Sequence, residues 1–333
     1  MSRRPRSVWR GRLYSVAKAA VSLGLLAWLL HKAGLQSLGS TISHASWKWL
    51  VVGFCFGLLA TSVQAGQWQA LLRALEMPRS WARCLRLVFV GNTFNTVLPT
   101  SIGGDVVRAA MVAEQPSERV RAFTTVVLQR LCNFPGMIVI LCLGLLLTLG
   151  YPQADRIRPV ALLGAVVGIT ALAVCATPLL GWLARRPLLQ RIKIGKLFQQ
   201  LHEFRRQRRQ LLLASLRGTV FWSLSVLNWW SFMHAVGIDV ALPFAAVVTT
   251  TVSAITMLPV SINGYGVREG SFTAFLTAAG LATTSAAVTA SLILAAQSLL
   301  WGLIGLPFLL AASRSRKAVS VSALELTPTH MAR

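Results

Sequence analysis

Long apolar runs separated by short basic clusters set the pattern of this chain. Runs near 13–33, 48–70, 131–150, 159–183, 211–236 and 283–312 each approach the about 20 apolar residues that carry a helix across roughly 30 Å of hydrocarbon. They predict six spanning helices within one membrane region, 13–312. A short amphipathic stretch, Leu35–Ser46, separates the first two runs and reads as interfacial, and Trp47 and Trp49 mark an aromatic boundary.

Two further apolar regions, Leu85 to Ala113 and Ala241 to Gly280, do not fit the spanning template. The first is interrupted by Leu98-Pro99-Thr100-Ser101-Ile102-Gly103-Gly104, the second by Leu258-Pro259-Val260-Ser261-Ile262-Asn263-Gly264. Proline removes a backbone donor and glycine weakens a helix, so each region is expected to break into two short halves.

Composition supports the membrane reading: 55% of residues are hydrophobic, 13% are charged, and mean hydropathy is +0.62. A soluble domain carries about 25% charge. The 33 Lys+Arg against 9 Asp+Glu give net +24, which suits phosphate polymers or anionic lipid surfaces. The basic residues fall between apolar runs, with no recognised nucleic-acid motif, so nucleic acid is excluded as a partner.

The basic segments are Arg3–Arg12, Arg73 to Arg86, Arg108 to Arg121, Arg185 to Arg209, and the tail Arg314-Ser315-Arg316-Lys317. All of them lie in the cytoplasm if the two broken regions enter the membrane and return on the side they came from. The expected fold is an all-α polytopic membrane protein, with about six spanning helices plus two re-entrant broken-helix hairpins and both termini inside. Residues 1–12 form a basic N-terminus, 185–210 a basic cytoplasmic loop, and 313–333 a tail with no soluble domain behind it. Only Lys32, Lys48, Arg156 and Arg158 fall near the outer side.

Five scattered cysteines form no CxxC and read as packing residues. The five histidines form no HxxxH pair. No metal or cofactor is expected.

The two broken segments match at a spacing of 160 residues. Leu98, Pro99, Ser101, Ile102, Gly104, Val107 and Arg108 recur as Leu258, Pro259, Ser261, Ile262, Gly264, Val267 and Arg268, and Thr96 recurs as Thr256. Repeat motifs 92–108 and 252–269, with three spans between them, predict an inverted repeat. That is the construction of many secondary transporters, whose sites lie between the halves.

In each motif a Pro–Ser–Gly turn feeds a short helix whose first N–H groups suit an anion. Arg108 and Arg268 lie within about a turn of it and present paired donors to a phosphate. Asp105 shares a helix face with Arg108; in the second motif Glu269 adjoins its arginine and Tyr265 replaces the aspartate. The candidate substrate-binding set is Asn92, Asn95, Pro99, Ser101, Gly103, Gly104, Asp105, Arg108 and Arg130, with Pro259, Ser261, Gly264, Arg268 and Glu269 from the second half. The same residues have a plainer use. The arginines would anchor topology, Asp105 and Glu269 would cap or pair, and Asn92, Asn95 and Asn263 would satisfy freed backbone groups. Arg130, beside Gln129 at the start of a span, would snorkel to the interface.

Asn92-Thr93-Phe94-Asn95-Thr96-Val97-Leu98-Pro99, followed by Gly103-Gly104-Asp105 and Arg108, resembles the first signature of the lysylphosphatidylglycerol synthase transmembrane (flippase-like) family. Leu258-Pro259 through Gly264, with Gly266, Val267, Arg268 and Glu269, resembles its second. The resemblance covers roughly residues 13–312 and implies lipid handling. Family members include the flippase half of enzymes that make and expose aminoacylated phosphatidylglycerol, and stand-alone proteins linked to glycolipid or hopanoid pathways. The family commonly has Asp-Arg where this chain has Gln129-Arg130, which bears on headgroup choice.

The expectation is a flippase or transporter in a bacterial inner membrane, moving a phospho- or glycolipid whose anionic headgroup is held by the two arginine motifs. No GxxxxGK[ST] loop is present, so a gradient or mass action would drive it. Two alternatives stand beside it. One is a membrane-embedded lipid-modifying enzyme using Asp105 or Glu269, although no catalytic constellation surrounds them. The other is a non-transporting partner of a cytoplasmic lipid-synthesis enzyme.

Overall fold

The computed structural model describes residues 24, 27–97, 103–176, 207–257 and 264–325. Among them the ordered elements are helices, without strands. A helix over 27–33 leads into α1 (Leu35–Ser43), the amphipathic stretch. Then come α2 (Trp47–Ala74), α3 (Trp81–Val97), α4 (Gly103–Val112), α5 (Arg119–Leu147) and α6 (Arg158–Ala176). After the basic loop follow α7 (Arg208–Ala235), α8 (Leu242–Thr256), α9 (Val267–Ala278) and α10 (Thr284–Glu325).

Four helices are long and apolar enough to cross a membrane: α2, α5 with its preceding turn, α7, and the Thr284–Ala311 part of α10. Between 22% and 39% of their most apolar stretches is buried within the protein. The rest faces outward, with Leu59, Leu146, Leu212, Leu216 and Leu303 all more than half exposed. A surface that apolar is stable only against lipid, and the chain is an all-α polytopic membrane protein. The expected first span, 13–33, lies mostly outside the described residues, and the fourth, 159–183, ends outside them. Most of the basic loop 185–210 also lies outside, while the tail expected from 313 begins as a continuation of α10.

One boundary differs from the sequence expectation. The span expected from residue 131 begins at Arg119, so Gln129 and Arg130 sit in mid-helix and not at its mouth. The added turns satisfy their own polar groups, with Thr124 Oγ1 donating to Val120 O (2.9 Å) and Thr125 Oγ1 to Ala122 O (2.7 Å). The Arg130 charge is met by a carboxylate from another helix, described below. The cysteines also divide: Cys84 and Cys132 are buried, but Cys55 and Cys142 are exposed and face outward rather than packing.

Both broken regions are helical hairpins. In the first, α3 and α4 run antiparallel, with Arg79 Nε donating to Val112 O at one end (3.3 Å) and Gly91 against Gly104 near the turn. A Cβ on Gly104 would run into Gly91 O and lie 2.6 Å from Asn95 Oδ1, so this close approach requires glycine. With 10 and 12 residues, α4 and α9 reach roughly 15–18 Å and cannot cross hydrocarbon alone.

The repeat extends beyond its motifs to whole helices. Trp47 and Arg208 open α2 and α7 at a spacing of 161 (208 − 47), and Trp81 and Leu242 open α3 and α8 at the same spacing (242 − 81). Equivalent helices α2 and α7 pack antiparallel. Asn228 Nδ2 donates to Gly53 O (2.7 Å), while Gln67 Nε2 donates to Ala214 O (2.8 Å). As numbers rise on one helix they fall on the other, the relation an inverted repeat demands. The last helix of each unit crosses to the other hairpin: α5 meets α8 where Gly144 lies against Pro243 and Val247, and α10 meets α3 where Thr93 Oγ1 donates to Gly302 O (2.6 Å).

The two arginines expected near the outer side have local duties. Arg156 Nη1 donates to Ala278 O (2.9 Å) at the end of α9, and Arg158 Nη2 to Thr148 O (3.0 Å) at the end of α5. A cation at a helix C-terminus is stabilised by the dipole and the free carbonyls. On the opposite side Arg79 pairs with Glu118 (3.0 Å) and Arg83 with Glu114 (2.6 Å), fastening the link between α4 and α5 to the start of α3.

Candidate functional site

The first hairpin delivers its polar residues to one place. A cavity of about 280 Å³ is walled by Asn92 and Asn95 of α3, Asp105 and Arg108 of α4, and Gln129 and Arg130 of α5. Phe221 and Trp222 of α7 and Met257 at the end of α8 close its apolar side.

Asp105 is the pivot. Its Oδ1 lies 2.9 Å from Arg108 Nη2, an i,i+3 pair on one helix face, and its Oδ2 accepts from Arg130 Nε at 2.6 Å and pairs with Arg130 Nη2. The side chains differ in access: Arg108 is 5% exposed, Asp105 11% and Arg130 45%. Arg108 lies over the Trp68 ring, 4.8 Å from its centroid, and Trp68 is held there by donating from Nε1 to Thr125 Oγ1 (2.9 Å). Two cations share one anion, so the group carries net +1. A wall of that net sign attracts an anion.

Two buried atoms in this wall have no hydrogen-bond partner among the described residues: the donor Arg108 Nε and the acceptor Gln129 Oε1. The carboxamide orientation of Gln129 is fixed from behind, because its Nε2 donates to Gln64 O (2.7 Å) and Gln67 Oε1 (3.2 Å). Gln67 passes the network to Asn133 Oδ1 (2.9 Å), which also reaches the cavity.

At each helix start one N–H that was expected to be free for an anion is already taken by a side chain. The Gly104 N–H donates to Asn95 Oδ1 (2.9 Å), and the Gly266 N–H to Glu269 Oε2 (2.6 Å). Asn95 thus does the plainer job of satisfying freed backbone while lining the cavity. Gly103 opens α4 behind it. Pro99, Ser101, Pro259, Ser261 and Asn263 lie outside the described residues.

The second half does not build the same site. Arg268 Nη2 pairs with Glu269 Oε1 (2.8 Å) beneath the Tyr265 ring, and Glu269 is 1% exposed. That pair is neutral and lies apart from the lining of the first cavity. Gly264 adopts φ +79°, packed on Thr256, and turns the chain into α9. At the repeat spacing, Asp105 corresponds to Tyr265, Arg130 to Ala290, Asn92 to Val252 and Asn95 to Ile255. Only the first half retains the polar set. Sequence reasoning singled out the arginines and Asp105 but not their meeting with Arg130, nor Gln129 as a wall. Gln64, Gln67 and Asn133, polar residues inside apolar runs, were the available signal.

Among the described residues no group of three or more His, Cys, Asp or Glu side chains has a metal-holding arrangement. No curated protein matches the sequence. The chain belongs to the family described as the lysylphosphatidylglycerol synthase TM region, which matches residues 15–305.

Proposed function

We propose that this protein moves a phosphate-bearing lipid between leaflets, with the headgroup held in the cavity walled by Asp105, Arg108, Gln129 and Arg130. The observation that carries the reading is the net +1 of the Arg108–Asp105–Arg130 group inside a membrane protein of a lipid-related family. Intramembrane charge is costly and is retained chiefly for function. A phosphate monoanion would neutralise it. Arg130, 45% exposed, meets the phosphate first, and Arg108 Nε, without a partner among the described residues, supplies a bond from the floor. The unpartnered Gln129 Oε1 calls for a donor beside the phosphate, such as a hydroxyl or ammonium.

The inverted repeat supplies two related packings of one framework, the basis of alternating access. The polar wall comes from one half only, so the headgroup stays with the first hairpin while the second half changes its packing around it. Drive comes from a gradient or from removal of product. By the charge rule both termini are cytoplasmic, in a bacterial inner membrane. We do not assign catalysis, because Asp105 and Glu269 are each engaged by guanidinium groups.

Lipid movement in proteoliposomes tests the proposal, using fluorescent anionic and zwitterionic headgroups with the wild type, Arg130→Gln and Arg108→Gln. Movement that favours the anionic lipid and falls at least tenfold in both variants is expected. Movement blind to headgroup, or unchanged in folded variants, refutes it. Absence of movement in the wild type transfers the weight to a partner role beside a lipid-synthesis enzyme.

A further inference from the structure

A second cavity, of about 230 Å³, lies further along α5, α7 and α8, three helices that also line the first. The polar cavity touches α5 at Arg130 and Phe134, α7 at Trp222, and α8 at Met257. The second touches α5 at Leu143 and Leu147, α7 at Leu227, and α8 at Leu242. Helices α5 and α7 run in the same sense, with Gly136 against Thr219 and Gly218, whereas α8 meets α5 at Gly144 with its N-terminal Pro243. Movement up α5 and α7 is therefore movement back along α8, and both cavities lie on one seam in that order.

The walls ask for nothing polar. Ser223, the one hydroxyl there, donates from Oγ to Thr219 O (3.1 Å) and is satisfied within its own helix. The remaining wall residues are aliphatic, with proline and glycine. Size selects the occupant. Spread over the two turns from Ile140 to Leu147, about 10 Å, 230 Å³ is a narrow slot, short of the room that a helix roughly 10–12 Å across needs. A hydrocarbon chain fits that slot and a partner helix does not. From Phe134 at the polar cavity to Leu147, α5 rises roughly 20 Å, somewhat more than the roughly 15 Å of one leaflet's hydrocarbon.

Resting on the headgroup reading above, we propose that this seam is an acyl-chain subsite. One chain of the lipid whose phosphate sits at Arg108 and Arg130 lies between α5, α7 and α8, so the substrate is an acylated phospholipid and not a soluble phosphate. Binding polar and apolar ends in adjoining compartments fixes the lipid's orientation along the helices.

The full chain in proteoliposomes is irradiated with phosphatidylglycerol carrying a diazirine on one acyl chain, and in parallel with phosphatidylcholine bearing the same chain; adducts are mapped by peptide mass spectrometry. Adducts at Leu143, Leu147 and Leu227 are expected, at least fivefold richer with the anionic lipid. Ser223→Phe, which fills the slot from α7, and Leu143→Trp, at its exposed rim, should each lower them at least fivefold. Calorimetric binding of glycerol 3-phosphate, which has no chain, should survive both slot variants and disappear in Arg130→Gln.

Equal labelling by both lipids, indifferent to the slot variants, means ordinary boundary lipid and overturns the subsite. Headgroup-dependent labelling elsewhere overturns it while the polar cavity stands. If wild-type protein takes up no glycerol 3-phosphate, the headgroup reading fails and the subsite with it.

Discussion

Asp105→Asn tests the electrostatic logic of the cavity directly. The carboxylate bridges Arg108 and Arg130, at 2.9 Å from one and 2.6 Å from the other. Its loss raises the local charge from +1 to +2. Removing one partner of a buried ion pair costs about 3–5 kcal/mol. The Arg108 half of the pair, 5% exposed, bears most of that cost; the Arg130 half, 45% exposed, is screened and contributes about 1 kcal/mol or less. Asp105→Asn/Arg130→Gln returns the group to +1 and recovers only the smaller share. Added anion acts differently. A short-chain phosphatidylglycerol at about 100 times its Kd contributes about 2.7 kcal/mol to any form that binds it, and the +2 variant gains at least as much as the wild type. The assay is thermal unfolding in detergent micelles, with and without that lipid and with short-chain phosphatidylcholine as control. The expected order without lipid is wild type above the double variant above Asp105→Asn, with the last rescued most by the anionic lipid. An Asp105→Asn midpoint equal to wild type, or equal rescue by the zwitterionic lipid, refutes the reasoning.

Further outcomes follow from other parts of the structure. Gly104→Ala places a methyl into Gly91 O and Asn95 Oδ1 and should cost about 1–3 kcal/mol as overpacking, read as a lower unfolding midpoint. Asn95→Ala strips the Gly104 N–H of its acceptor; about 1–3 kcal/mol is expected for an orphaned donor, by the same measurement. Glu118→Gln weakens a solvent-screened lock to Arg79 and should leave both the unfolding midpoint and lipid movement close to wild type. Cys55 and Cys142, exposed on apolar faces, should resist a charged maleimide in proteoliposomes and react with it once the protein is unfolded in dodecyl sulfate.

The helical membrane class was legible because hydrocarbon thickness converts an apolar run into a span with little room for error. The repeat was legible through Pro99/Pro259 and Arg108/Arg268, since proline and arginine within apolar sequence are too unusual to match idly. What the motif comparison missed lies in the residues that do not repeat. Tyr265 and Ala290 stand where the first half has Asp105 and Arg130, so two arginines that look equivalent have opposite settings, one in an open cationic cavity and one in a closed neutral pair. The start of α5 was misplaced for a related reason. A charge at 130 reads as a boundary when its partner, 25 residues earlier, is on another helix. Span boundaries follow from sequence only when polar residues are satisfied locally, as Thr124 and Thr125 are, and not when a distant element satisfies them.

The carboxamide of Gln67 has a consequence for biosynthesis. It sits fully buried in α2, yet its acceptors are Asn133, 66 residues later, and Ala214, 147 residues later. At roughly 5–20 residues per second, the ribosome needs roughly 7–30 s after making Gln67 to supply the second acceptor. During that interval α2 has a polar side chain without its final partners in a solvent that offers few substitutes. The polar packing of α2 is therefore complete only once the second half of the repeat has been made.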